Sequence, residues 1–358
     1  MEGIKHERDC PATIYYHRGM ITALMIDLTE NLLNWFDMHG RELPWRVKGG
    51  AHPSPYVILV SEFMLQQTTV KTVIPYFARF MARFPDVESL AAASLEDVLQ
   101  YWQGLGYYTR AKSLHYTAQQ IVKAGNFPST HKEVMKLKGI GKYTAASYLS
   151  LAFNIPEPVV DGNVMRIICR MYHLTAPLDE LQDEIYQKAA ELTDKNRAAD
   201  YASAIMDLGA MICTPKNPQC LLCPWQCACQ SCGGDDVEQI PARKKTTRIL
   251  KTYSVYLIFN QKNEVYLRKR SEKGLLSGLY EFPWGDEVKQ PHKAVDRGES
   301  VRHIFTHIDL TLQIFSCRDD DYQADGFFVS WDKVSDYPLS TLMKKVYNKY
   351  EKAKGLNK

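Results

Sequence analysis

Residues 137–145 read LKGIGKYTA and place a Gly-x-Gly turn between two segments with helical periodicity. Such a turn exposes backbone N–H groups at the start of the second helix, where they and the helix dipole can hold a phosphate. A plain connection between two helices has the same pattern, so the turn alone is weak evidence. The sequence VVDGNV at residues 159–164 follows downstream and strengthens the phosphate-binding interpretation.

The composition is that of a globular protein with more than one domain. The chain has 358 residues, of which 45% are hydrophobic and 24% are charged. No apolar run reaches the length of a membrane span, and the first residues, MEGIKHERDC, are too charged for a secretory signal. We therefore expect a cytoplasmic protein without a membrane partner. Because MITALMIDL from Met20 reads as an alternative start, residues 1–20 are expected to be an N-terminal extension.

Periodicity divides the chain into a helical part and a β-rich part. Helical spacing continues to about residue 212, and short β-branched and aromatic runs begin near residue 251. We predict an all-α region at 21–212, a cysteine loop at 213–232, a linker at 233–250 and a second domain at 251–358. The predicted helices cover 27–38, 56–80, 95–102, 110–124, 143–153, 164–173 and 342–350, and the predicted strands cover 254–259, 264–269, 312–317 and 326–331.

A carboxylate lies inside an apolar helical run. Residues 56–80 are predicted to form one amphipathic helix, in which Glu62 shares a face with Ile58, Leu65 and Gln66. Burial on that face disfavours the charged form and raises the pKa of a glutamate, which suits a general acid near neutral pH. A half-buried glutamate paired with an arginine is the alternative, and it is the commoner explanation for a lone helical glutamate.

Six of the nine cysteines lie within residues 213–232. Four thiolates in one loop suit a tetrahedral zinc ion or a cubane iron–sulfur cluster. In the spacing Cys213-x6-Cys220-x2-Cys223-x5-Cys229 only the middle pair is a CxxC pair, whereas structural zinc sites more often use two, so this spacing favours the cluster. Cys227 and Cys232 are left over, which keeps the ligand assignment open, and a group of disulfides is disfavoured in the cytoplasm. The candidate ligands are Cys213, Cys220, Cys223 and Cys229.

Two further features have both a functional and an ordinary interpretation. Asp161 precedes the predicted helix at 164–173, so it is an N-cap candidate and also a carboxylate that can face a developing positive charge. Residues 101–145 carry seven arginines and lysines against the single acid Glu133. That segment is either a DNA-binding surface or a solvated lysine face.

These motifs together resemble the helix-hairpin-helix DNA glycosylase superfamily. RELPWR at 41–46, SEFMLQQT at 61–68, GLGYYTRA at 104–111 and HIFTH at 303–307 narrow the resemblance to adenine DNA glycosylases of the MutY type. The resemblance implies an all-α helix-hairpin-helix glycosylase region with an iron–sulfur cluster loop, followed by an α+β Nudix-like domain. It also implies an enzyme of base-excision repair that flips out adenine opposite 8-oxoguanine or guanine and hydrolyses its N-glycosidic bond.

The resemblance implies a division of labour between two carboxylates. Glu62 matches the family's catalytic acid, which protonates adenine at N7, and Asp161 matches the aspartate that stabilises the oxocarbenium ion. Tyr143 and Asn163 match residues that support the catalytic centre, although packing or capping would also explain them.

Tyr143 also bears on the reaction type. Glycosylases of this superfamily that nick DNA carry a Schiff-base lysine directly before the hairpin threonine, where this chain has Tyr143. The resemblance therefore implies a monofunctional glycosylase. Lys142 lies about 100° away around the helix, and it is assigned with Gly139 and Gly141 to a DNA phosphate.

Two sets of side chains match family residues that contact the flipped base and the duplex. The first set walls the adenine pocket and consists of Arg41, Leu43, Trp45 and Arg46. The second set enters the duplex near the oxidised guanine, where an apolar wedge compensates for the unstacking that base flipping causes. It consists of Gln67, Thr68, Leu105 and Tyr107. For Tyr107, packing in the protein core is the alternative.

Residues 251–358 resemble the family's Nudix-like recognition domain, most clearly in GLLSGLYEFPWG at 274–285. No REUxEExG glutamate cluster for magnesium follows Gly285, so hydrolysis by this domain is not expected. Phe305, Thr306 and His307 match the FSH loop that reads 8-oxoguanine, with threonine in place of serine. The threonine hydroxyl can donate the same hydrogen bond, but its methyl group restricts the rotamer, which puts the strength of discrimination against guanine in question.

The implied cofactor is a structural [4Fe-4S] cluster, and the implied partner is double-stranded DNA with an 8-oxoguanine–adenine mispair, bound by a monomer. Lys216 in the cysteine loop is a candidate phosphate contact. Three other function classes stay open: a lesion-binding or redox-sensing protein without turnover, a bifunctional glycosylase-lyase and a Nudix hydrolase.

Overall fold

A computed structural model of the chain describes residues 21–47, 52–242, 248–270, 276–286 and 288–356, with the backbone alone at 21–27 and 354–356. The predicted extension at 1–20 and residues 243–247 of the predicted linker lie outside the described residues. The described residues form two compact units, one within 21–66 and 123–242 and one within 67–122 and 248–356. The predicted linear domain boundaries remain a prediction.

The described part of residues 21–211 is helical. In chain order the helices are α1 (Ile21–His39), α2 (Pro55–Leu65), α3 (Val70–Arg83), α4 (Val87–Ala92), α5 (Leu95–Trp102), α6 (Thr109–Ala124), α7 (His131–Val134), α8 (Lys142–Phe153), α9 (Gly162–Met171), α10 (Leu178–Leu192) and α11 (Ala198–Met211). Helices α3 to α5 and most of α6 belong to the second unit. The predicted all-α region is confirmed. No helix of the described residues has the length and apolar character needed to cross a membrane.

The single helix predicted over residues 56–80 is wrong. Helix α2 ends at Leu65 and α3 begins at Val70. Gln67 adopts φ +56, a left-handed conformation that interrupts the helix, and the extended Thr69 forms the N-cap of α3. Consecutive β-branched threonines favour a break here, but the apolar pattern on either side keeps a helical spacing and conceals it.

The core of the first unit lies where α1, α9, α10 and α11 meet. Their apolar residues recur at helical spacing, so each helix buries one stripe. Trp225, in the cysteine loop, is buried in this core and its Nε1 donates to the backbone oxygen of Leu28 at 2.8 Å. Cys213, Cys223 and Cys229 pack against the same core. The cysteine loop is therefore anchored on the helices.

The predicted hairpin connects α7 to α8. Gly139 adopts φ +80 in the connection, a backbone conformation that a side chain disfavours. Gly141 is the N-cap of α8 without a side-chain hydrogen bond, so the first backbone N–H groups of this helix have no capping side chain. Lys142 is exposed, whereas Ala145 and the following turns are buried against α2 and α11.

A six-stranded sheet lies in the C-terminal stretch of the second unit, between residues 249 and 330. Its strands are β1 (Ile249–Phe259), β2 (Glu264–Lys269), β3 (Tyr280–Glu281), β4 (Val295–Ile304), β5 (Ile308–Arg318) and β6 (Phe327–Ser330). Four of them correspond to the predicted strands. The order is β3-β2-β1-β5-β4, with β6 also on β2, and only β1 and β5 pair in parallel among these strands. Strands β3 and β4 were not predicted, because β3 is short and β4 is a largely polar edge strand with a bulge.

Helix α12 (Thr341–Leu356) packs on the sheet and completes the predicted α+β architecture. The helices of the second unit contact the segment just before α12. Gln103 Nε2 donates to the backbone oxygen of Tyr337 at 3.1 Å, and the Tyr108 hydroxyl donates to that of Leu339 at 3.2 Å. The second unit is thus assembled from two separate stretches of sequence.

Candidate active site

Glu62 is buried on α2. The helix begins at Pro55, where Ser54 accepts a hydrogen bond from the backbone of Tyr56 at 3.3 Å, and Glu62 follows two turns later with 3% of its surface exposed. Burial raises the pKa of Glu62 to about 7, against the smaller opposing effect of the Ser147 hydroxyl. The carboxyl is therefore close to half neutral at physiological pH, as the sequence predicts for a general acid.

The surroundings of Glu62 leave polar atoms unpaired. Neither Glu62 Oε2 nor Ser147 Oγ makes a hydrogen bond among the described residues, and Arg46 forms its salt bridge with Asp207. The simple Glu–Arg pair considered from the sequence is therefore not what this region contains. A buried unpaired polar group costs about 1–3 kcal/mol, and a catalytic role is one of the reasons for which proteins retain such groups.

Tyr143 lies one helical turn before Ser147 on α8. Burial raises the pKa of its hydroxyl well above the ordinary value, and the charges of Glu62 and Asp161 raise it further. The hydroxyl donates to Met206 Sδ at 3.6 Å. Tyr143 is therefore a neutral hydrogen-bonding group that reaches the same small region as both carboxylates.

Asp161 is the N-cap of α9. Its Oδ1 accepts from the backbone N–H of Val164 at 2.7 Å, and its Oδ2 accepts from Asn163 Nδ2 at 2.9 Å. Both carboxylate oxygens of Asp161 are therefore held in place by N–H donors. The charge of Asp161 adds to the rise in the pKa of Glu62. Two carboxylates thus share one site in contrasting surroundings. Burial favours the neutral form of Glu62, whereas Asp161 accepts hydrogen bonds from N–H donors.

A series of hydrogen bonds joins Asp161 to the cysteine loop. Arg166 Nη2 donates to Asn163 Oδ1 at 3.0 Å, and Arg166 Nε donates to the backbone oxygen of Cys213 at 2.8 Å. Arg166 Nη2 also donates to the backbone oxygen of Gly209 at 2.7 Å. The orientation of Asn163, and through it that of Asp161, therefore depends on the start of the cysteine loop. Arg166 was not predicted from the sequence.

The four candidate cysteine ligands lie close to one another. Burial is the main cause that raises the pKa of Cys223 to about 12 and that of Cys229 to about 11, and neighbouring thiols, Cys213 and Cys220 among them, contribute to both values. Grouped buried thiols ionise readily only when a cationic group compensates their charge. In the part of the chain that the structure describes, no three His, Cys, Asp or Glu side chains surround a single-ion site.

The RELPWR segment lies in the first unit and is held to α11. Trp45 is buried and Leu43 is half-buried, whereas the side chains of Arg41 and Arg46 both reach Asp207. Asp207 was missed in the sequence, although the signal was available: like Glu62, it is a lone carboxylate in an apolar helical run, AIMDLGAM.

In the second unit, Arg110 organises the loops that contain the predicted wedge. Its Nη2 donates to Thr68 Oγ1 at 3.0 Å and to the backbone oxygens of Leu105 at 3.5 Å and Gly106 at 3.2 Å. Tyr107 is 46% exposed, whereas Leu105 is 6% exposed. Tyr107 and the exposed Gln67 are therefore accessible to a partner, and Leu105 is packed inside.

The predicted lesion-reading loop is the turn between β4 and β5. Thr306 is exposed there, and its Oγ1 lies 3.2 Å from the Tyr107 hydroxyl in a hydrogen bond. Phe305 stacks edge-on with His303, and His307 is exposed. The second unit thus brings the GLGYYTRA and HIFTH motifs together, while Gly139, Gly141 and Lys142 lie exposed on the hairpin of the first unit.

Comparisons with known proteins agree with this geometry. Residues 60–195 match the HhH-GPD superfamily of base excision DNA repair proteins, and residues 254–349 match the NUDIX domain. An adenine DNA glycosylase of Mus musculus is 32% identical over 94% of this chain and 80% of its own length. One from Buchnera aphidicola is 37% identical over 79% and 84%, respectively. A thermostable thymine-DNA glycosylase is similar in structure, with TM-score 0.53 and 25% identity over 59% of this chain and 98% of its own.

The helical hairpin, the two carboxylates and these matches define a helix-hairpin-helix DNA glycosylase of base-excision repair. Its second part carries a Nudix-like domain. The chain belongs to the adenine DNA glycosylase family.

Proposed function

We propose that this enzyme removes adenine from mispairs with 8-oxoguanine, or with guanine, by flipping the base and hydrolysing its N-glycosidic bond. The observation that carries the proposal is the buried Glu62 with its unpaired Oε2 beside the capped carboxylate of Asp161. This pair supplies a proton donor and a second carboxylate in a fixed position, which are the two groups that departure of a protonated purine requires.

In the proposed mechanism the flipped adenine enters the pocket walled by Arg41, Leu43, Trp45 and Arg46. Glu62 in its neutral form transfers its proton to N7, so that adenine leaves as a neutral base. Cleavage of the bond from N9 to C1′ leaves an oxocarbenium ion, which the Asp161 carboxylate stabilises until water attacks C1′. The proton that the water gives up returns to the Glu62 carboxylate, which restores the neutral acid. Tyr143 and Asn163 support this centre, Asn163 through its hydrogen bond to Asp161.

Glu62 should impose a specific pH dependence on this reaction. Its raised pKa of about 7 means that the protonated, active form is lost as pH rises through that value. Above it, the single-turnover rate is expected to fall by about tenfold per pH unit. Measuring adenine release across neutral and alkaline pH tests this, and a rate that stays flat up to about pH 9 would contradict an acid with this pKa.

We infer a monofunctional reaction, because Tyr143 provides no amine at the position that matches the superfamily's Schiff-base lysine. Borohydride is therefore expected to trap no covalent DNA adduct, and the strand should stay intact until alkali is added. A stoichiometric trapped adduct would favour the bifunctional alternative. The Tyr143→Lys variant provides a positive control for trapping at this position.

We further propose that Cys213, Cys220, Cys223 and Cys229 hold a [4Fe-4S] cluster. Its chemistry here is to cross-link the loop, which is packed on the helical core and hydrogen-bonded to Arg166. The purified protein is expected to be brown, to absorb at about 400 nm and to contain about four iron atoms. The Cys223→Ser variant should lose the iron, whereas Cys317→Ser, at a buried cysteine of the second unit, should keep it. Stoichiometric zinc without colour would contradict the proposal.

Lesion recognition is proposed for the second unit. Phe305, Thr306 and His307 would read 8-oxoguanine, and the accessible Gln67 and Tyr107 would occupy the space that flipping opens. Thr68 and the buried Leu105 would support them from within the second unit. The hydrogen bond between Tyr107 and Thr306 supports a joint action of the two loops. Between Gly285 and Val295 the described residues form no helix and supply no glutamate-rich magnesium site, so the proposal includes no Nudix hydrolysis.

The test is single-turnover release of free adenine from a duplex with one adenine opposite 8-oxoguanine, compared with guanine in the same position. Release without strand cleavage supports the proposed activity. Tight, lesion-selective binding without release would support the lesion-binding alternative instead. We also propose that the protein is a monomer, that it is intracellular and that it has no membrane partner. It would contact DNA phosphates through Gly139, Gly141, Lys142 and Lys216.

A further inference from the structure

One buried carboxylate holds both arginines of the RELPWR segment. Asp207 lies on α11 and is 0% exposed. Its two oxygens accept five hydrogen bonds: at Oδ1 from Arg41 Nε at 2.8 Å, Arg41 Nη2 at 2.6 Å and Arg46 Nη2 at 2.8 Å, and at Oδ2 from the Arg41 backbone at 2.9 Å and Arg46 Nη1 at 2.8 Å.

These contacts fix the arginines more tightly than a surface ion pair would. Arg46 Nη1 also donates to the backbone oxygen of Arg41 at 3.1 Å, and the Arg46 guanidinium lies 5.6 Å from the centre of the Phe36 ring. Burial alone would raise the pKa of Asp207, but the hydrogen bonds from Arg46 and Arg41 outweigh it, so the pKa is lowered. Asp207 is therefore an anion, and the three side chains carry one net positive charge.

We propose that Asp207 is the positioning residue of the base pocket: it holds Arg41 and Arg46 in place and sets how much positive charge Glu62 faces. The inference rests on the proposed function, because the pocket matters to catalysis only if a base enters it.

The charge effect depends on which groups face Glu62. They are Ser147 and Tyr143 from α8, Asp161 from the start of α9, and Arg46 from the segment after α1. Of these groups only Arg46 is a cation, and its charge lowers the pKa of Glu62. Without the Asp207 charge, Arg46 and Arg41 are uncompensated, so the pKa of Glu62 should fall. Without Arg46, it should rise.

The experiment measures the single-turnover rate against pH in four proteins. It compares the alkaline limb of each profile, which is the pH range in which the rate falls as Glu62 loses its proton. Asp207→Asn leaves two net positive charges and should move the limb to lower pH by about half a unit to one unit. Arg46→Met leaves none and should move it to higher pH, whatever happens to the maximal rate. The double variant Asp207→Asn/Arg46→Met restores one net charge, and its limb should return towards that of the wild type.

The double variant also keeps the test available if Asp207→Asn is too unstable. In Asp207→Asn the Arg46 charge has lost its carboxylate partner, and the double variant removes that charge. Asp200→Asn is the matched control: Asp200 lies on the same helix and pairs with Arg197 at 2.8 Å, away from the RELPWR segment. It should leave the limb in place.

Three outcomes would overturn the proposal. In the first, Asp207→Asn leaves the limb in place and the rate falls only in proportion to the lost stability, so that Asp207 has a purely structural role. In the second, Asp207→Asn moves the limb to higher pH. In the third, the limb of the double variant does not return towards that of the wild type. If the wild type released no adenine, the proposed function itself would fail, which is a distinct result.

Discussion

The Glu62→Gln variant is expected to lose adenine release while it keeps binding to the mispair. Glutamine occupies nearly the same volume at this buried position, but its amide is too weak an acid to transfer a proton to N7. General acids contribute about 10²–10⁴-fold to such reactions, and the single-turnover rate should fall by that factor. The dissociation constant for the duplex should change by less than about tenfold, because the phosphate contacts that dominate affinity are untouched.

The control for this prediction is Glu88→Gln, at an exposed glutamate on α4. It makes the same chemical change without burial and should release adenine at the wild-type rate. If Glu62→Gln released adenine at more than about a tenth of the wild-type rate, the assignment of Glu62 as the acid would be wrong.

The Asp161→Asn variant should separate the capping role of this residue from its charge. Asparagine is as good an N-cap as aspartate, so α9 should retain its start and the melting temperature should change little. The anion facing the oxocarbenium ion is lost, however, and removal of one such electrostatic contact lowers rates by about 10²–10³-fold. Single-turnover release, with thermal unfolding followed in parallel, measures both effects.

Asp86→Asn provides the matched control, because Asp86 is the N-cap of α4 and accepts from Ser89 at 2.7 Å. Equal small effects of the two substitutions on both measurements would mean that Asp161 is only a cap. A large loss of stability in Asp161→Asn alone would instead point to the Asn163 and Arg166 hydrogen bonds as its main function.

Local signals predicted much of this structure. The Gly-x-Gly hairpin, the N-cap at Asp161 and the burial of Glu62 follow from residue type and periodicity over a few residues, and all three are found. Strand β2 also has the predicted bounds, because its apolar run is short and flanked by turn residues.

Features that depend on distant parts of the chain could not be predicted in this way. The break between α2 and α3 lies within a continuous apolar pattern, and only the left-handed Gln67 reveals it. Strand β4 is polar and owes its conformation to pairing with β5. The shared contacts of Asp207 with Arg41 and Arg46 span more than 160 residues of sequence.

The interleaving of the two units affects how the protein can be divided. The chain passes from one unit to the other at 66/67, at 122/123 and at 244/245. A protease that cuts only at the last of these points would leave the C-terminal fragment held to α5 and α6 by noncovalent contacts such as those of Gln103 and Tyr108. Conversely, a chain ending at residue 242 would retain α5 and α6 without the segment before α12 that contacts them, so its lost activity could not be attributed to lesion reading alone.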